Sequence, residues 1–288
     1  LDEKLLPGAE KARQEGALGI SVFMTIIGMT AVGLRVYTRA VVIRNMGPED
    51  WTAIVAALFT LIFLILLLVS AKYGMGYSIM SVTPEMVVQN IKLGLAIVVV
   101  YKMTVTLIKI SILLMYLRLA VNQTFTYACK GSIALLALYQ FIVIIIVPVE
   151  CTPLKRLWNP TVQGHCIDIN AFYYITSAFH IFMDVWILIL PYKLIITIPR
   201  PLRERLAVYS IFGLGFFGTI CAIVRFNYLA IVNNSRDPFY DSLPINTWSI
   251  IEVNVGMVCA SLPTLRPLFS KAQRQRTRQA LKNPDEEA

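Results

Sequence analysis

Seven apolar stretches, each long enough to cross a bilayer, divide this chain, and they constrain its fold more than any other feature. A membrane-crossing helix needs roughly 20 apolar residues. The runs are Ala17–Leu34, Trp51–Ala71, Leu93–Leu117, Gly131–Val149, Ala171–Leu194, Leu206–Val224 and Thr247–Leu268. Lys102 and Lys109 interrupt the third, which is otherwise largely apolar. Composition agrees: 57% of residues are hydrophobic and 15% charged, whereas in soluble domains about a quarter are charged. The reading is an all-α integral membrane protein, a bundle of seven transmembrane helices. Residues 1–16 form an N-terminal segment, 17–268 the transmembrane domain, and 269–288 a basic-then-acidic tail.

The net charge of +9 would suggest nucleic acid in a soluble protein. Here the basic residues gather in short segments between apolar runs, as topogenic charges do, and no nucleic-acid partner is expected. Arg35, Arg39 and Arg44 follow the first span; Arg118 and Lys130 follow the third. Arg200, Arg203 and Arg205 follow the fifth, and Arg266, Lys271, Arg274, Arg276, Arg278 and Lys282 follow the seventh. On the other side basic residues are fewer and diluted by Glu85, Glu150, Asp168, Asp237 and Asp241. The denser side is expected to be cytoplasmic, which puts the N-terminus outside and the C-terminus inside. The expected location is a plasma membrane or endomembrane.

The chain opens on Leu1 rather than Met, so residues ahead of it are expected. Leu1 to Gly16 lacks the basic-then-apolar layout of a cleavable signal peptide. Cys151 and Cys166 share the loop between spans four and five, outside in this topology, where a disulfide can form. Asn233-Asn234-Ser235 is a glycosylation sequon on the same side. The sequon at Asn122 falls inside and should stay bare. Cys129, Cys221 and Cys259 read as free thiols at or within the membrane. The basic tail grips anionic lipid or docks a cytoplasmic partner.

Four ionisable residues fall within spans: Lys102, Lys109, Asp184 and Glu252. A charge facing lipid costs about 3 kcal/mol on insertion scales, so the four are expected to point inward and find partners. Depth, at about 1.5 Å per residue, pairs Lys102 with Glu252 in an outer layer and Lys109 with Asp184 in an inner one. The two lysines are a heptad apart and share nearly one helix face. Arg225, at the outer end of span six, could compete for Glu252 or anchor at the interface. His180 stands four residues before Asp184 on the same face. With His165 the only other histidine, that pair is too small a ligand set for a metal. Trp248 sits one turn before Glu252 and could wall an outer pocket. Trp51, Trp158, Tyr173, Tyr174 and Tyr192 fit an interfacial belt. Gly213, Gly215 and Gly218 permit close helix packing.

An ordered series of motifs runs along nearly the whole chain. It comprises Arg35-Val36-Tyr37-Thr38-Arg39, Gly47-Pro48-Glu49-Asp50-Trp51 and Lys72-Tyr73-Gly74-Met75-Gly76. Lys109-Ile110-Ser111 with Tyr116-Leu117-Arg118 follows, then Cys151-Thr152-Pro153 with Trp158, Gly164, Cys166 and Asp168. Asp184 with Pro191, Arg225, Trp248 with Ile251-Glu252, and Leu262-Pro263-Thr264-Leu265-Arg266-Pro267-Leu268 complete it. The series resembles the fungal rhodopsin-like integral membrane protein family. Glu49-Asp50 stands where members often have two Asp, and Tyr77-Ser78 where they often carry His. The resemblance implies a seven-helix fungal membrane protein, receptor-like or found beside secondary-metabolite genes. It does not by itself imply a ligand or a reaction.

Retinal proteins hold their chromophore as a Schiff base on a lysine of the last span. Asn246 to Leu268 contains no Lys, so no such cofactor is expected. Three readings of the charged quartet remain. The first is a receptor-like protein sensing a small molecule or surface cue and coupling through its inner loops. Its ligand-binding candidates are Lys102, Lys109, Asp184, Glu252, Trp248 and His180. The second is a membrane-embedded cyclase or isomerase of secondary metabolism, with Asp184 or Glu252 as catalytic general acid. The third is a transporter, for which no internal inverted repeat is evident.

Overall fold

The computed structural model describes residues 8–120, 122–159, 161–191, 202–235 and 237–269. The tail from 270, residues 1–7, Tyr192, Leu194 and Arg200 lie outside the described residues. Seven long helices follow in order: α1 (Ala9–Tyr37, continued by a π-helical turn Thr38–Ile43), α2 (Pro48–Lys72) and α3 (Pro84–Leu119). Then come α4 (Gln123–Ile146), α5 (Ile169–Ile189), α6 (Leu202–Asn234) and α7 (Pro238–Phe269). All seven are long and apolar enough to span a membrane.

Local chemistry sets the helix starts. Pro48 and Pro84 stand at first helical positions, where a missing N–H costs nothing. Asp50 Oδ2 accepts from the Gly47 N–H at 3.1 Å. Asn122 accepts from Thr124 N–H, Asp168 from Ala171 N–H and Asp237 from Tyr240 N–H, each closing the first turn of α4, α5 and α7. Gln14 of α1 donates to the Ala71 and Met75 carbonyls at 2.8 and 2.7 Å, satisfying the end of α2.

Hydropathy placed several boundaries inside the true helix ends. Helix α1 begins at Ala9 rather than Ala17, α3 at Pro84 rather than Leu93, and α7 at Pro238 rather than Thr247. These extensions carry polar groups that the bundle itself satisfies, so a polarity scan misses them. Residues 9–16, assigned to an N-terminal segment, are therefore part of α1.

Helices α3 and α7 form the centre: more than half of their apolar stretches are buried, against a third or less in the other five. Around them α1 packs on α2 and α7, α2 on α3, α3 on α4 and α7, and α6 on α5 and α7. One apolar core joins Phe63, Leu67, Ile97, Tyr101, Ile250 and Met257; a second joins Leu113, Leu136, Met183 and Ile187. Large apolar side chains such as Phe23, Leu58, Ile65, Phe141, Phe182 and Phe216 face outward. Polar groups including Thr60, Thr104, Ser111, His180 and Asn254 are buried. That inversion suits a lipid solvent, where a lipid-facing polar group has no water to bond. At Gly28 a Cβ would collide with Asn254 Oδ1 and Met257 Cε, so glycine is what lets α1 cross α7 closely. Gly215 serves α6 likewise, since a Cβ there would lie 2.7 Å from Leu188. A Cβ on Gly213 would meet nothing.

The α4–α5 connection folds over one end of the bundle. A short antiparallel pair, β1 (Cys151–Thr152) with β2 (His165–Cys166), sets Cys151 opposite Cys166. The expected disulfide joins them. Lys92 Nζ lies 5.1 Å from the centroid of the Trp158 ring, tying the connection to α3 by a cation–π contact. The start of α1 and the α2–α3 and α6–α7 turns share this disulfide end. The α1–α2 and α3–α4 turns lie at the opposite end.

Candidate functional site

The expected inner pair forms. Lys109 Nζ of α3 lies 3.1 Å from Asp184 Oδ1 of α5, the Lys109 side chain only 4% exposed. The ammonium also donates to the His180 carbonyl at 2.8 Å and lies 3.2 Å from His180 Nδ1. One turn of α5 thus offers the lysine a carboxylate, a carbonyl and a ring nitrogen. Packed edge-on against Tyr139 at 5.0 Å, His180 is fully buried and its Nε2 has no partner. A cavity of about 90 Å³ opens beside the pair, lined by Tyr116, Gly215, Glu252 and Cys259.

The expected outer pair does not form. Glu252 Oε2 of α7 is held by Arg225 Nε of α6 at 3.2 Å and by the Tyr101 hydroxyl of α3 at 2.9 Å. The Arg225 guanidinium also stands 4.9 Å from the Tyr101 ring centroid. Arg225 wins because α6 and α7 pack directly on each other, which brings its Nε to the carboxylate. It is no interfacial anchor: the residue is 4% exposed. Lys102, 2% exposed, is left with the Tyr139 hydroxyl at 3.3 Å and no carboxylate within ion-pair reach among the described residues.

Above this layer lies a cavity of about 530 Å³, roofed by the disulfide loop through Glu150 and Leu157. Lys102, Arg225 and Tyr173 line it among mainly apolar side chains. Sequence reasoning missed two of its walls. Glu150, counted as a loop charge, is 1% exposed, and burial pushes its carboxyl above the usual value against the opposing pull of a hydrogen bond with Tyr173. Tyr173, assigned to the interfacial belt, faces the cavity. Trp248 does not line it; Ser242, Ile245, Asn246 and Ser249 do. Those four share one stripe of α7, from which position 248 is turned by about 100° at 3.6 residues per turn. The Asn233 amide nitrogen is buried in the last turn of α6, so glycosylation there needs that turn to open.

A second charged cluster occupies the opposite end, built from residues read as topogenic loop charges. Arg35 is fully buried. Its Nε meets Asp50 Oδ1 at 2.8 Å, one Nη the Ala260 carbonyl at 2.8 Å and the other the Glu49 carbonyl at 2.9 Å. Arg39 adds contacts to Glu49 at 3.4 Å and Asp50 at 3.6 Å, and Arg118 reaches Glu49 at 2.7 Å. Ser111 donates to the Glu49 carbonyl at 2.7 Å. The cluster therefore ties α1, α2, α3 and α7 together. A signal was available: two acids stand at a helix start across a short turn from two arginines.

Among the described residues no three His, Cys, Asp or Glu side chains gather as a metal set. Cys129, Cys221 and Cys259 are buried and outside any disulfide.

The family model for the fungal rhodopsin domain matches residues 34–271. A SAT4 family membrane protein of Emericella nidulans is 29% identical over 72% of this chain and 55% of its own length. Receptor GIN3 of Arthrobotrys oligospora is 28% identical over 85% of this chain and 60% of its own. The polyenoic acids biosynthesis gene cluster protein Ba17b of Metarhizium anisopliae is 27% identical over 88% of this chain and 72% of its own. The chain thus spans between half and two thirds of the first two relatives. No solved structure matches it.

Proposed function

Because the chain belongs to the fungal rhodopsin domain family, we propose that it is a receptor-like membrane protein sensing a small molecule at its disulfide end and signalling at the opposite end. The observation that carries this reading is the course of α3 and α7. Helix α3 brings Lys102 to the cavity, Lys109 to the inner pair, and Ser111 and Arg118 to the far cluster. Helix α7 brings Ser249 to the cavity, Glu252 to Arg225 and the Ala260 carbonyl to Arg35. A ligand that moved either helix would act on a cluster of buried ions at the other end, a contiguous physical route between sites.

The disulfide end faces out in this reading, where thiols oxidise, and the opposite end meets a cytoplasmic partner. Relatives from biosynthesis clusters support a link to secondary metabolism. General-acid chemistry has less support: Asp184 and Glu252 each already hold a cation at contact distance.

The test is ligand-dependent stabilisation of the purified protein in nanodiscs by fractions of fungal culture medium. Saturable stabilisation by at least one fraction is expected. Absence of any effect, or turnover of a pathway intermediate that Asp184→Asn abolishes, would count against a receptor.

A further inference from the structure

Two buried cations, Lys102 and Arg225, line the cavity under the disulfide loop with hydrogen-bond donors still unspent. Arg225 spends Nε on Glu252, and one of its Nη nitrogens is buried without an acceptor. Lys102, with three donors to place, has a single phenolic oxygen at 3.3 Å. Both cations line the cavity and are close enough to repel one another. Between them they have one carboxylate, that of Glu252: its Oε2 is engaged by Arg225 and Tyr101, and its Oε1 is buried without a partner among the described residues, but Glu252 lines the smaller cavity rather than this one. Glu150, the acid on the roof, is buried with one oxygen unpartnered, and its raised carboxyl holds its proton to higher pH than an exposed one. It makes no ion pair with either cation among the described residues.

Leaving a buried cation without a counter-ion costs several kcal/mol. Most of the rest of the wall is aliphatic and aromatic, with Ile91, Leu95, Val98, Leu229 and Val232 among it, beside neutral polar groups such as Asn90, Ser177 and Asn246. At about 530 Å³ the space lies within the usual range for small-molecule pockets. From these observations we propose that the cavity binds an amphiphilic monocarboxylate, its acid group bridging Lys102 and Arg225 and its apolar body lying along α3 and α6. The carboxylate supplies the acceptors that both cations lack, and charge-assisted bonds of this kind are the strong ones. A cationic ligand meets repulsion. A neutral one fills the walls but leaves both donors unsatisfied. The proposal rests on the small-molecule reading above and names its ligand class.

The experiment uses the full chain in nanodiscs of zwitterionic lipid, with a dansyl-labelled undecanoate and the matching dansyl-labelled alcohol as probes. Saturable binding of the acid is expected, with the alcohol weaker by about tenfold or more. Lys102→Met should weaken the acid by about tenfold and leave the alcohol unchanged. The unliganded Lys102→Met protein should be at least as heat-stable as the parent, because it loses an uncompensated buried cation. Arg225→Lys keeps a charge for Glu252 but removes the free Nη donor, and should also weaken the acid selectively. Equal affinity for acid and alcohol, or no saturable binding of either, overturns the proposal, as does unaltered acid binding by a folded Lys102→Met protein. The receptor reading survives that failure if neutral or basic culture fractions still stabilise the chain, and falls only if none does.

Discussion

Asp50→Asn should unfold this protein more readily than any other charge-removing substitution in the opposite-end cluster. The Arg35 and Asp50 side chains are both 0% exposed and meet at 2.8 Å. Taking away the carboxylate charge strands a guanidinium that no water reaches, which costs about 3–5 kcal/mol. Domains hold only about 5–15 kcal/mol in total, so the loss is a large fraction of what keeps the bundle folded. Arg118→Met removes the shortest ion pair in the same cluster, 2.7 Å to Glu49, but the Arg118 side chain is 37% exposed. Exposure discounts that pair to about 1 kcal/mol or less. Distance alone would rank the two the other way; burial decides. In nanodiscs, thermal unfolding followed by tryptophan fluorescence should show a large drop for Asp50→Asn and a small one for Arg118→Met. The double variant Arg35→Met/Asp50→Asn should regain much of the loss, because two neutral groups need no counter-ion. Equal effects of Asp50→Asn and Arg118→Met, or strict additivity in the double variant, would refute the reasoning.

Lys109→Met and Asp184→Asn should each destabilise the protein, and the double variant should recover part of the loss. The coupling should be about 1–3 kcal/mol, less than at Arg35, because Asp184 is 23% exposed whereas Arg35 and Asp50 are both 0% exposed; additive effects would assign the two charges to different partners. Replacing Cys151 and Cys166 by Ser opens a loop with a sequence separation of 15 and should cost about 3 kcal/mol. Alkylation of both thiols in native, unreduced protein would reject that bond. Glu150 binds its proton more tightly when folded than when unfolded, so its burial draws down stability as pH rises through the unfolded value towards the raised folded one. Glu150→Gln should therefore raise the midpoint of unfolding near about pH 8 and change it little near about pH 3, where the carboxyl is almost wholly protonated in both states; an equal shift at both pH values would show a packing effect instead.

Hydropathy and charge spacing made much of this molecule legible. The seven spans follow from apolar length, and the Lys109–Asp184 pair follows from depth, counted along the apolar runs Leu93–Leu117 and Ala171–Leu194. Cys151 and Cys166 share one loop and bond. What stayed hidden turns on rotation and on helix ends. Depth set Lys102 level with Glu252, but which cation reached the carboxylate depended on α6 packing against α7, and sequence does not give that rotation. Arg35, Arg39 and Arg118 lie where the apolar signal fades, so they read as topogenic charges. The helices run on past that point and bury Arg35 and Arg39 against Glu49 and Asp50. Tyr173 and Glu150 were misplaced for a related reason: the disulfide loop folds back over the bundle mouth and turns a surface into a wall.

Hydrogen–deuterium exchange on the full chain in nanodiscs tests most directly whether the two ends are coupled. The protein is compared with and without a culture fraction that stabilises it. The account predicts protection around the disulfide loop, Glu150 to Cys166, together with altered exchange about 30 Å away by helix rise, in Thr38 to Asp50 and Ser111 to Arg118. Changes confined to the disulfide end for every stabilising fraction would contradict it.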